Sequence, residues 1–407
     1  LFRVLLQKSP PAVLLRSADS CIARRKLRLR NCAVLSETIQ TEEVMKNRII
    51  GRTTEGFFRY QAWPTVARAR DGTLYVAASG SRLGHVCPFG KNLLYISRDE
   101  GESWSAPYIV NDTVWDDRDA GLCAWGDGNL LLSWFSHPAE FYEENRDWVM
   151  RSVFPGTQAL AAGMLETWKK VPPEKCRYGS FTRLSGDGGM TWSEARHAPV
   201  TSPHGPERMP DGSLLWLGKE FRSGMPELEP GGIYAFGSTD NGQSWNLLSQ
   251  VAFPAGCGAC NIHEPHTVCL PGGRILGAFR GEGSAVPFGF TVYLTRSDDG
   301  GRHWSEPAET GICGSPPHLL RHSSGAVILT YARRKAPYGE RARISTDGGE
   351  TFGEEIVIGA EAPDGDIGYP SSAELSDGSI LTVYYQKYPG DGYPSVLGTV
   401  WNTEEYL

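Results

Sequence analysis

An eight-residue pattern that recurs five times constrains the fold of this chain more than any other feature. The pattern is Ser-x-Asp-x-Gly-x-x-Trp, with Phe replacing Trp in the last copy. Each copy follows an apolar segment, and its Asp and Gly favour a tight turn, since Asp accepts backbone hydrogen bonds and Gly adopts positive φ. We interpret the copies as structural hairpin turns without a catalytic role. They lie at Ser97–Trp104, Ser185–Trp192, Ser238–Trp245, Ser297–Trp304 and Ser345–Phe352.

A second repeat consists of a two-residue turn that ends in Gly and is followed by an apolar strand. It occurs six times, and its glycines are 56, 84, 61, 52 and 53 residues apart, which matches the period of a four-stranded propeller blade. The sequence therefore predicts an all-β fold, a six-bladed β-propeller with four-stranded antiparallel blades. A strand at about 48–52 would close the ring against the last one. The glycines are Gly72, Gly128, Gly212, Gly273, Gly325 and Gly378.

The longest interval between these glycines indicates an insertion in blade 2, at about 137–176. Within it, residues 157–168 are typical of a short helix that ends before Pro172 and Pro173. The 48 Gly and 27 Pro residues suit a chain of many short strands elsewhere. The sequence contains no run of 18 apolar residues, so it predicts no membrane span.

Charge is distributed unevenly along the chain. The net charge is −7, yet the first 35 residues carry eight basic residues and one acidic residue. We expect residues 1–44 to be a basic leader, unfolded or not part of the native start, and residues 45–407 to form the propeller. The basic cluster follows the apolar stretch, which is not the order of a secretory signal. The compartment stays open, with the cytoplasm favoured, and the acidic balance argues against nucleic acid as a partner.

The cysteines and histidines do not form a recognisable metal-binding or disulfide pattern. Nine cysteines are an odd number, without the spacing of a disulfide-rich scaffold. Residues 257–266 contain a Cys-x-x-Cys-x-x-His-x-x-His run, but structural zinc sites normally separate their two ligand pairs by a longer loop. We therefore expect ordinary packing there, and we predict neither a metal nor a cofactor.

Hairpin geometry predicts that one end of the central channel collects polar residues from all blades. A residue nine before each turn glycine and a residue seven or eight after it lie at the same end of the hairpin, opposite the turn. In a propeller these ends surround the mouth of the channel, so residues distant in sequence should meet there. Arg59 lies slightly further upstream on the first blade, and Arg82 lies slightly beyond its second strand. The residues expected to converge in one pocket are Arg59, Arg82, Asp119, Glu264, Arg280 and Tyr369.

From about residue 48 to 407, the chain resembles the sialidase superfamily, six-bladed propellers with Asp-box repeats. The match at the site is limited to short segments. Phe-Arg-Tyr-Gln-Ala stands where the family has its first arginine segment and keeps only the Arg. His-Glu-Pro-His contains the residue that matches the family's Glu. The third family arginine has two candidates on one strand, Arg341 and Arg343, of which we choose Arg341. The other matched positions are Arg59, Glu264, Arg280 and, for the nucleophile, Tyr369.

The resemblance implies a retaining exo-α-sialidase that hydrolyses terminal sialic acids of glycoconjugates. In such an enzyme Tyr369 would be the nucleophile and Glu264 its base. A neutral phenol suits the task because the anomeric carbon of a sialic acid carries a carboxylate, which repels an anionic nucleophile. Guanidinium groups would bind that carboxylate through paired hydrogen bonds. The arginines expected to bind substrate are Arg59, Arg82, Arg280 and Arg341.

The loop at 81–91 departs from the family pattern because it lacks the acid/base Asp that sialidases carry there. His85 lies in this loop, and a reference pKa near 6.5 suits proton transfer. Asp119 is the second candidate for the general acid. Two alternatives stay open: a glycosidase or transglycosidase for another acidic sugar, and a propeller that binds glycans without catalysis. The predicted partner is a sialylated glycan or another acidic sugar, and the oligomeric state is open.

Overall fold

The computed structural model describes residues 45–172, 175–360 and 362–406. The leader predicted at 1–44 lies outside these residues. Within them, 25 β-strands form six antiparallel sheets, each with a path of four strands. The prediction of a six-bladed propeller is confirmed. No helix among the described residues has the length and apolar character needed to cross a bilayer.

The blades follow one another along the chain. Blade 1 contains β2 (Tyr60–Arg68), β3 (Leu74–Arg82), β4 (Lys91–Ser97) and β5 (Tyr108–Asn111). Blade 2 contains β6 (Arg118–Trp125), β7 (Asn129–Ser136), β8 (Gly179–Ser185) and β9 (Arg196–Ala198). Blade 3 contains β10 (Val200–Thr201), β11 (Glu207–Arg208), β12 (Leu214–Glu220), β13 (Ile233–Ser238) and β14 (Asn246–Val251), with β10 and β11 both pairing with β12.

The second half of the chain repeats this plan. Blade 4 contains β15 (Ile262–Cys269), β16 (Ile275–Glu282), β17 (Phe290–Ser297) and β18 (Ala308–Glu309). Blade 5 contains β19 (Pro317–Arg321), β20 (Val327–Arg333), β21 (Gly339–Ser345) and β22 (Ile356–Gly359). Blade 6 contains β23 (Gly368–Glu374), β24 (Ile380–Lys387) and β25 (Pro394–Trp401), and β1 (Lys46–Gly51) completes it beside β25. The predicted ring closure is therefore present.

The five repeated turns have the same hydrogen bonds, as their pattern predicts. In the first, the Ser97 hydroxyl donates to Asp99 and accepts from the Gly101 N–H, at 2.8 and 2.9 Å. Asp99 accepts from the Ser103 N–H at 2.9 Å. Gly101 has a φ of 83°, which explains the need for glycine. The Trp104 indole donates to the Gly101 carbonyl oxygen, and Trp192 and Trp304 make the same bond in their own turns.

Apolar clusters between neighbouring blades form the core. Between blades 1 and 6, Val76 and Tyr95 pack with Leu381 and Val383. Between blades 4 and 5, the shared cluster includes Leu276 and Leu329. Because each sheet buries both of its faces against its neighbours, the blades hold the innermost strands in fixed positions around the axis. The polar residues at the ends of those strands are therefore held in fixed positions as well.

The described part of the insertion in blade 2 contains three helices. The predicted helix is α3 (Gln158–Trp168), while α1 (Ala139–Glu144) and α2 (Arg146–Ser152) were not expected from the sequence. Their buried side chains, including Tyr142 and Trp168, form a small core with Trp115. The segment after α2 lies against blade 1, since the Phe154 N–H donates to the Leu83 carbonyl oxygen at 2.8 Å. The insertion therefore supports the loop that carries His85.

Candidate active site

Four innermost strands contain, within their first four residues, a residue in the left-handed conformation. Trp63, Asp119, Glu264 and Tyr369 have φ values of 54°, 50°, 52° and 53°. They occupy equivalent positions, nine residues before the turn glycine, and the strand register shifts close to each of them. Such bulges turn a side chain away from the ladder, and left-handed non-glycine residues concentrate at functional sites. The two remaining equivalent positions hold proline, whose φ is fixed at a negative value.

Tyr369, Glu264 and Arg280 form the centre of the site. The Tyr369 hydroxyl donates a short hydrogen bond to Glu264 Oε1. Arg280 Nη1 donates to both carboxylate oxygens of Glu264, at 2.9 and 2.8 Å, and lies 3.4 Å from the Tyr369 hydroxyl. Three predicted residues, two from blade 4 and one from blade 6, are thus in direct contact at the mouth of the channel.

The charges of this group shift the proton affinities of its members in opposite directions. Burial alone would raise the pKa of Glu264, but the charge and hydrogen bonds of Arg280 and the Tyr369 hydroxyl hold it below its ordinary value. Burial and the negative charges of Glu264 and Asp119 raise the pKa of Tyr369 well above its ordinary value. The resting state is therefore a carboxylate that accepts a hydrogen bond from a neutral phenol.

Arg334 is a second guanidinium at this centre, and the sequence analysis missed it. Its guanidinium carbon lies 5.5 Å from the centroid of the Tyr369 ring, and its charge acts on Tyr369 and Glu264. The hairpin rule indicated the neighbouring residue instead. Arg333 stands eight residues after its turn glycine, and β20 ends there. Arg334, just beyond the strand end, is the residue that turns toward the mouth.

Arg341, one of the predicted substrate-binding arginines, does not reach the centre of the site. Arg341 donates to Glu355 and to the carbonyl oxygens of Glu340, Gly359 and Pro337. This expectation is corrected because Arg341 shares one face of its sheet with Glu355, whereas the site lies beyond the strand ends. Arg343 bonds to Tyr331 and the Gly353 carbonyl oxygen instead.

Arg82 lies beneath the site. Its side chain is fully buried and forms a two-pronged ion pair with Asp116, and its guanidinium lies 4.8 Å from the Trp63 ring centroid. A guanidinium paired in this way has no free edge for a ligand, so Arg82 supports Trp63 and the adjoining loop. Arg59 is half-buried at the rim, 4.3 Å from the ring centroid of Tyr393.

Tyr393 connects Arg59 to an aromatic cluster that forms the floor beside the nucleophile candidate. The cluster contains Tyr60, Trp63, Tyr369, Tyr385 and Tyr393. Its ring centroids are about 6 Å apart along the series, 6.3 Å for Trp63 and Tyr369 and 6.0 Å for Tyr369 and Tyr385. This packing fixes the Tyr369 ring, so that its hydroxyl has a single direction available.

Asp119 opens onto a cavity beside Glu264. The cavity measures about 670 Å³, and Phe135, His137 and Phe221 form its apolar wall. Burial, with the nearby charge of Glu264, raises the pKa of Asp119 to about 7, against the opposing effect of Arg118. Asp119 is therefore a carboxyl group that can hold a proton near neutral pH, as a candidate general acid requires.

His85 lies at the opposite side of the mouth with a partner that the sequence did not indicate. Its Nδ1 is 2.9 Å from Asp366 Oδ1, and the Tyr60 hydroxyl is 2.8 Å from each of these two atoms. The Trp63 ring packs edge-on against the imidazole, with centroids 5.2 Å apart. Asp366 precedes Tyr369 by three residues, in a segment whose Asp and Gly residues resemble an ordinary turn, so nothing in the sequence marked it.

Three histidines line a separate cavity within the channel. His204, His266 and His318 are buried with ring centroids 4.2 to 5.4 Å apart, and they border a space of about 390 Å³. Burial lowers the pKa of each. Among the described residues, no group of three or more His, Cys, Asp or Glu side chains has an arrangement that could hold a metal ion.

Residues 257–266, the run that resembled a zinc site, point in different directions. His263 Nδ1 lies 2.8 Å from Lys219 Nζ, while His266 accepts from the Leu319 N–H inside the channel. Cys260 is exposed.

A family model described as a BNR repeat-like domain matches residues 165–383, which is more than half of the chain. The chain belongs to this family. Together with the six-bladed fold, the match confirms the predicted sialidase-superfamily BNR propeller. A comparison with curated proteins gave no significant match.

Solved structures share the fold at low sequence identity. A protein of unknown function from Dyadobacter fermentans has a TM-score of 0.68 and 21% identity, covering 88% of this chain and 98% of that one. The NanB sialidase from Streptococcus pneumoniae has a TM-score of 0.61 and 13% identity, covering 86% and 70%. The intramolecular trans-sialidase from Ruminococcus gnavus has a TM-score of 0.57 and 15% identity, covering 86% and 96%. At these identities the likeness establishes the fold.

Proposed function

We propose that this protein is a retaining exo-α-sialidase that hydrolyses terminal sialic acids from glycoconjugates. The observation that carries the proposal is the contact of the Tyr369 hydroxyl with Glu264, with Arg280 bonded to both. This reaction requires three groups at one point: a phenol, a carboxylate able to take its proton, and a guanidinium beside both. The fold shared with solved sialidases agrees with the proposal.

In the proposed first step, the Tyr369 oxygen attacks the anomeric carbon while its proton passes to Glu264. The pKa of Tyr369 is raised in the resting site, so the phenol needs this base. The attack forms a glycosyl–tyrosine bond and breaks the bond to the leaving oxygen. Water then attacks the same carbon and releases Tyr369, which recovers its proton from Glu264. Two displacements at one carbon retain its configuration.

The substrate carboxylate would bind to the guanidiniums beside Tyr369. Arg280 and Arg334 both act on Tyr369, and charge-assisted pairs between a guanidinium and a carboxylate are the strong hydrogen bonds of protein sites. Arg59, at the rim, is the proposed third arginine. Arg82 and Arg341 are not included because Arg82 lies beneath Trp63 and Arg341 faces Glu355, away from Tyr369.

The departing oxygen needs a proton, and His85 and Asp119 are the two proposed donors. Asp119 faces the cavity beside Glu264, while His85 faces the site from blade 1. The two residues lie on different sides of the mouth, so the position of the aglycone decides between them.

The proposal is tested with a methylumbelliferyl α-sialoside and the Tyr369→Phe variant. Wild type should release the fluorophore, and NMR should detect the α-anomer of the free sugar before mutarotation. Tyr369→Phe keeps the ring but loses the attacking oxygen, so kcat should fall about 1,000-fold or more while KM changes little. Tyr331→Phe, which removes a hydroxyl bonded to Glu355 in blade 5, is the matched control and should retain activity.

Four results would contradict the proposal. Near-normal kcat in folded Tyr369→Phe would remove the nucleophile, and release of the β-anomer would exclude retention. A wild-type protein that binds sialyllactose in calorimetry without turnover would instead be a glycan-binding propeller. Turnover of glycosides of other acidic sugars, with none of sialosides, would transfer the mechanism to a different substrate.

A further inference from the structure

The loop that contains His85 lacks a carboxylate of its own, but a carboxylate from a distant part of the chain lies beside His85. Residues 81–91 contain no Asp or Glu, yet Asp366 Oδ1 lies 2.9 Å from His85 Nδ1. The Tyr60 hydroxyl also donates to Asp366 Oδ1, at 2.8 Å, and the Tyr385 hydroxyl lies 3.3 Å away. A histidine held by a carboxylate on one ring nitrogen presents the other nitrogen for proton transfer.

The hydrogen bonds determine which nitrogen of His85 carries the fixed proton. Burial would raise the pKa of Asp366, but the bonds from His85 and Tyr60 lower it below its ordinary value, so Asp366 is an acceptor. Nδ1–H therefore donates to Asp366, and Nε2 is the nitrogen that gains and loses a proton. The side chain is 36% exposed, which leaves Nε2 accessible from the mouth.

We propose that Asp366 is a positioning residue that orients His85 and stabilises its imidazolium, so that His85 Nε2 is the general acid and base of the site. The inference rests on the proposed function. In the first step Nε2–H gives its proton to the glycosidic oxygen as the C–O bond breaks, and the aglycone leaves as an alcohol. In the second step neutral Nε2 takes a proton from the attacking water, and the imidazolium forms again.

The charges around His85 make this carboxylate necessary. Burial lowers the pKa of His85, and the positive charges of Arg118 and Arg334 lower it further, whereas Asp366 raises it. Arg82 and Arg118 also donate to the His85 backbone carbonyl, at 3.2 and 3.1 Å. Asp366 is thus the group that keeps an imidazolium accessible beside several guanidiniums, a function similar to that of the carboxylate in a hydrolase triad.

The decisive variant is Asp366→Asn, with Asp364→Asn as its matched control. Asp364 lies in the same loop, pairs with Lys387 and accepts from the Asp366 N–H, and Asn can still accept that bond. With an alkyl sialoside, Asp366→Asn should lower kcat/KM about 100-fold, and with an activated aryl sialoside by less than about fivefold, because the aryl leaving group needs little protonation. Asp364→Asn should stay within about twofold of wild type on both.

A second measurement reads His85 directly. In ¹⁵N-labelled protein, NMR should show the Nδ1–H tautomer for His85 in wild type and a lower His85 pKa in Asp366→Asn. The double variant Asp366→Asn/His85→Gln should be no slower on the alkyl sialoside than His85→Gln alone, since the two residues act as one unit.

The results separate the two proposals. An unchanged tautomer and pKa in Asp366→Asn, equal losses on both substrates, or additive losses in the double variant would overturn the role of Asp366. If wild type cleaves no sialoside, the proposed function fails. The NMR titration then decides independently whether Asp366 controls the protonation of His85.

Discussion

The mouth of the channel and its interior both bury titratable side chains, but they differ in how these are paired. At the mouth, Glu264 is bonded to Arg280 and Asp366 to His85. In the interior, His204 Nε2 and His318 Nδ1 have no hydrogen-bond partner among the described residues. Charge is therefore kept where a ligand can reach it and excluded from the axis. Changes at the mouth should reduce turnover, whereas changes in the interior should alter stability and its pH dependence.

Among the substitutions that compare the mouth with the interior, Arg280→Lys should have the largest effect. A lysine cannot reproduce the contacts with both Glu264 oxygens and with the Tyr369 hydroxyl, and it lacks the planar fork that binds a carboxylate. We expect kcat/KM for an aryl sialoside to fall about 100-fold or more, which corresponds to the loss of charge-assisted hydrogen bonds worth about 3 kcal/mol.

Arg341→Lys is the matched comparison, because Arg341 is equally buried but faces Glu355. Its kcat/KM should remain within about threefold of wild type in folded protein, while its melting temperature falls. A large loss in Arg341→Lys with a small loss in Arg280→Lys would mean that the mouth has been assigned to the wrong strand faces.

A medium effect, on the free energy of unfolding, is expected when the pH is lowered and the buried histidines of the interior can take up protons on unfolding. Burial lowers the pKa of His318 well below its ordinary value, so below about pH 6.5 the unfolded chain binds a proton that the folded one does not. Stability is thus complete above that pH and decreases as the pH falls, by up to about 1.4 kcal/mol per pH unit for each such histidine. Urea unfolding at pH 8.0, 6.5 and 5.5 measures this slope.

His318→Gln removes one of the three titrating groups from the axis. At pH 8 the variant should be less stable than wild type, because it loses the stacking of His318 on His266. At pH 5.5 that deficit should be about 1.4 kcal/mol smaller, since one proton no longer favours the unfolded state. A deficit that is the same at both values would show that His318 does not titrate on unfolding.

The smallest effect is expected where the insertion contacts the support of the mouth. The Tyr142 hydroxyl donates to Asp116 Oδ2 at 2.6 Å, and Asp116 holds Arg82 beneath Trp63. Tyr142→Phe should lower the free energy of unfolding by about 1–2 kcal/mol and change kcat/KM no more than about threefold. A loss of activity comparable to that of Arg280→Lys would show that the insertion controls the site more directly than its contacts indicate.

The repeats predicted the fold because each one reports a local requirement. A turn needs its glycine and aspartate wherever it stands, so six turns and the five spacings between them were enough to identify the blades. They also located Asp119, Glu264 and Tyr369, since equivalent positions in equivalent blades meet at the mouth. A period of two along a strand cannot, however, say which face points inward near a strand end. For that reason the choice between Arg341 and Arg343 did not lead to Arg334.

Asp366 could not be predicted by any such rule. It lies outside the strands, in a segment of turn-forming residues, and its partner His85 is 281 residues away. The helices α1 and α2 were missed because the insertion follows no repeat, and their short lengths give weak periodicity. The parts of the site that the sequence did not indicate therefore lie in irregular segments. These segments contact each other across the ring.

The ring is closed by β1 and β25 in a single sheet, so its first and last strands are neighbours. The Tyr60–Asp366 hydrogen bond joins residues 306 positions apart, and the nucleophile candidate lies in the last blade. During synthesis, the Glu264–Tyr369 and His85–Asp366 contacts cannot form until blade 6 has left the ribosome. A nascent or proteolytically shortened chain without blade 6 would thus lack both the nucleophile candidate and the carboxylate partner of His85, so that these two contacts report a complete ring.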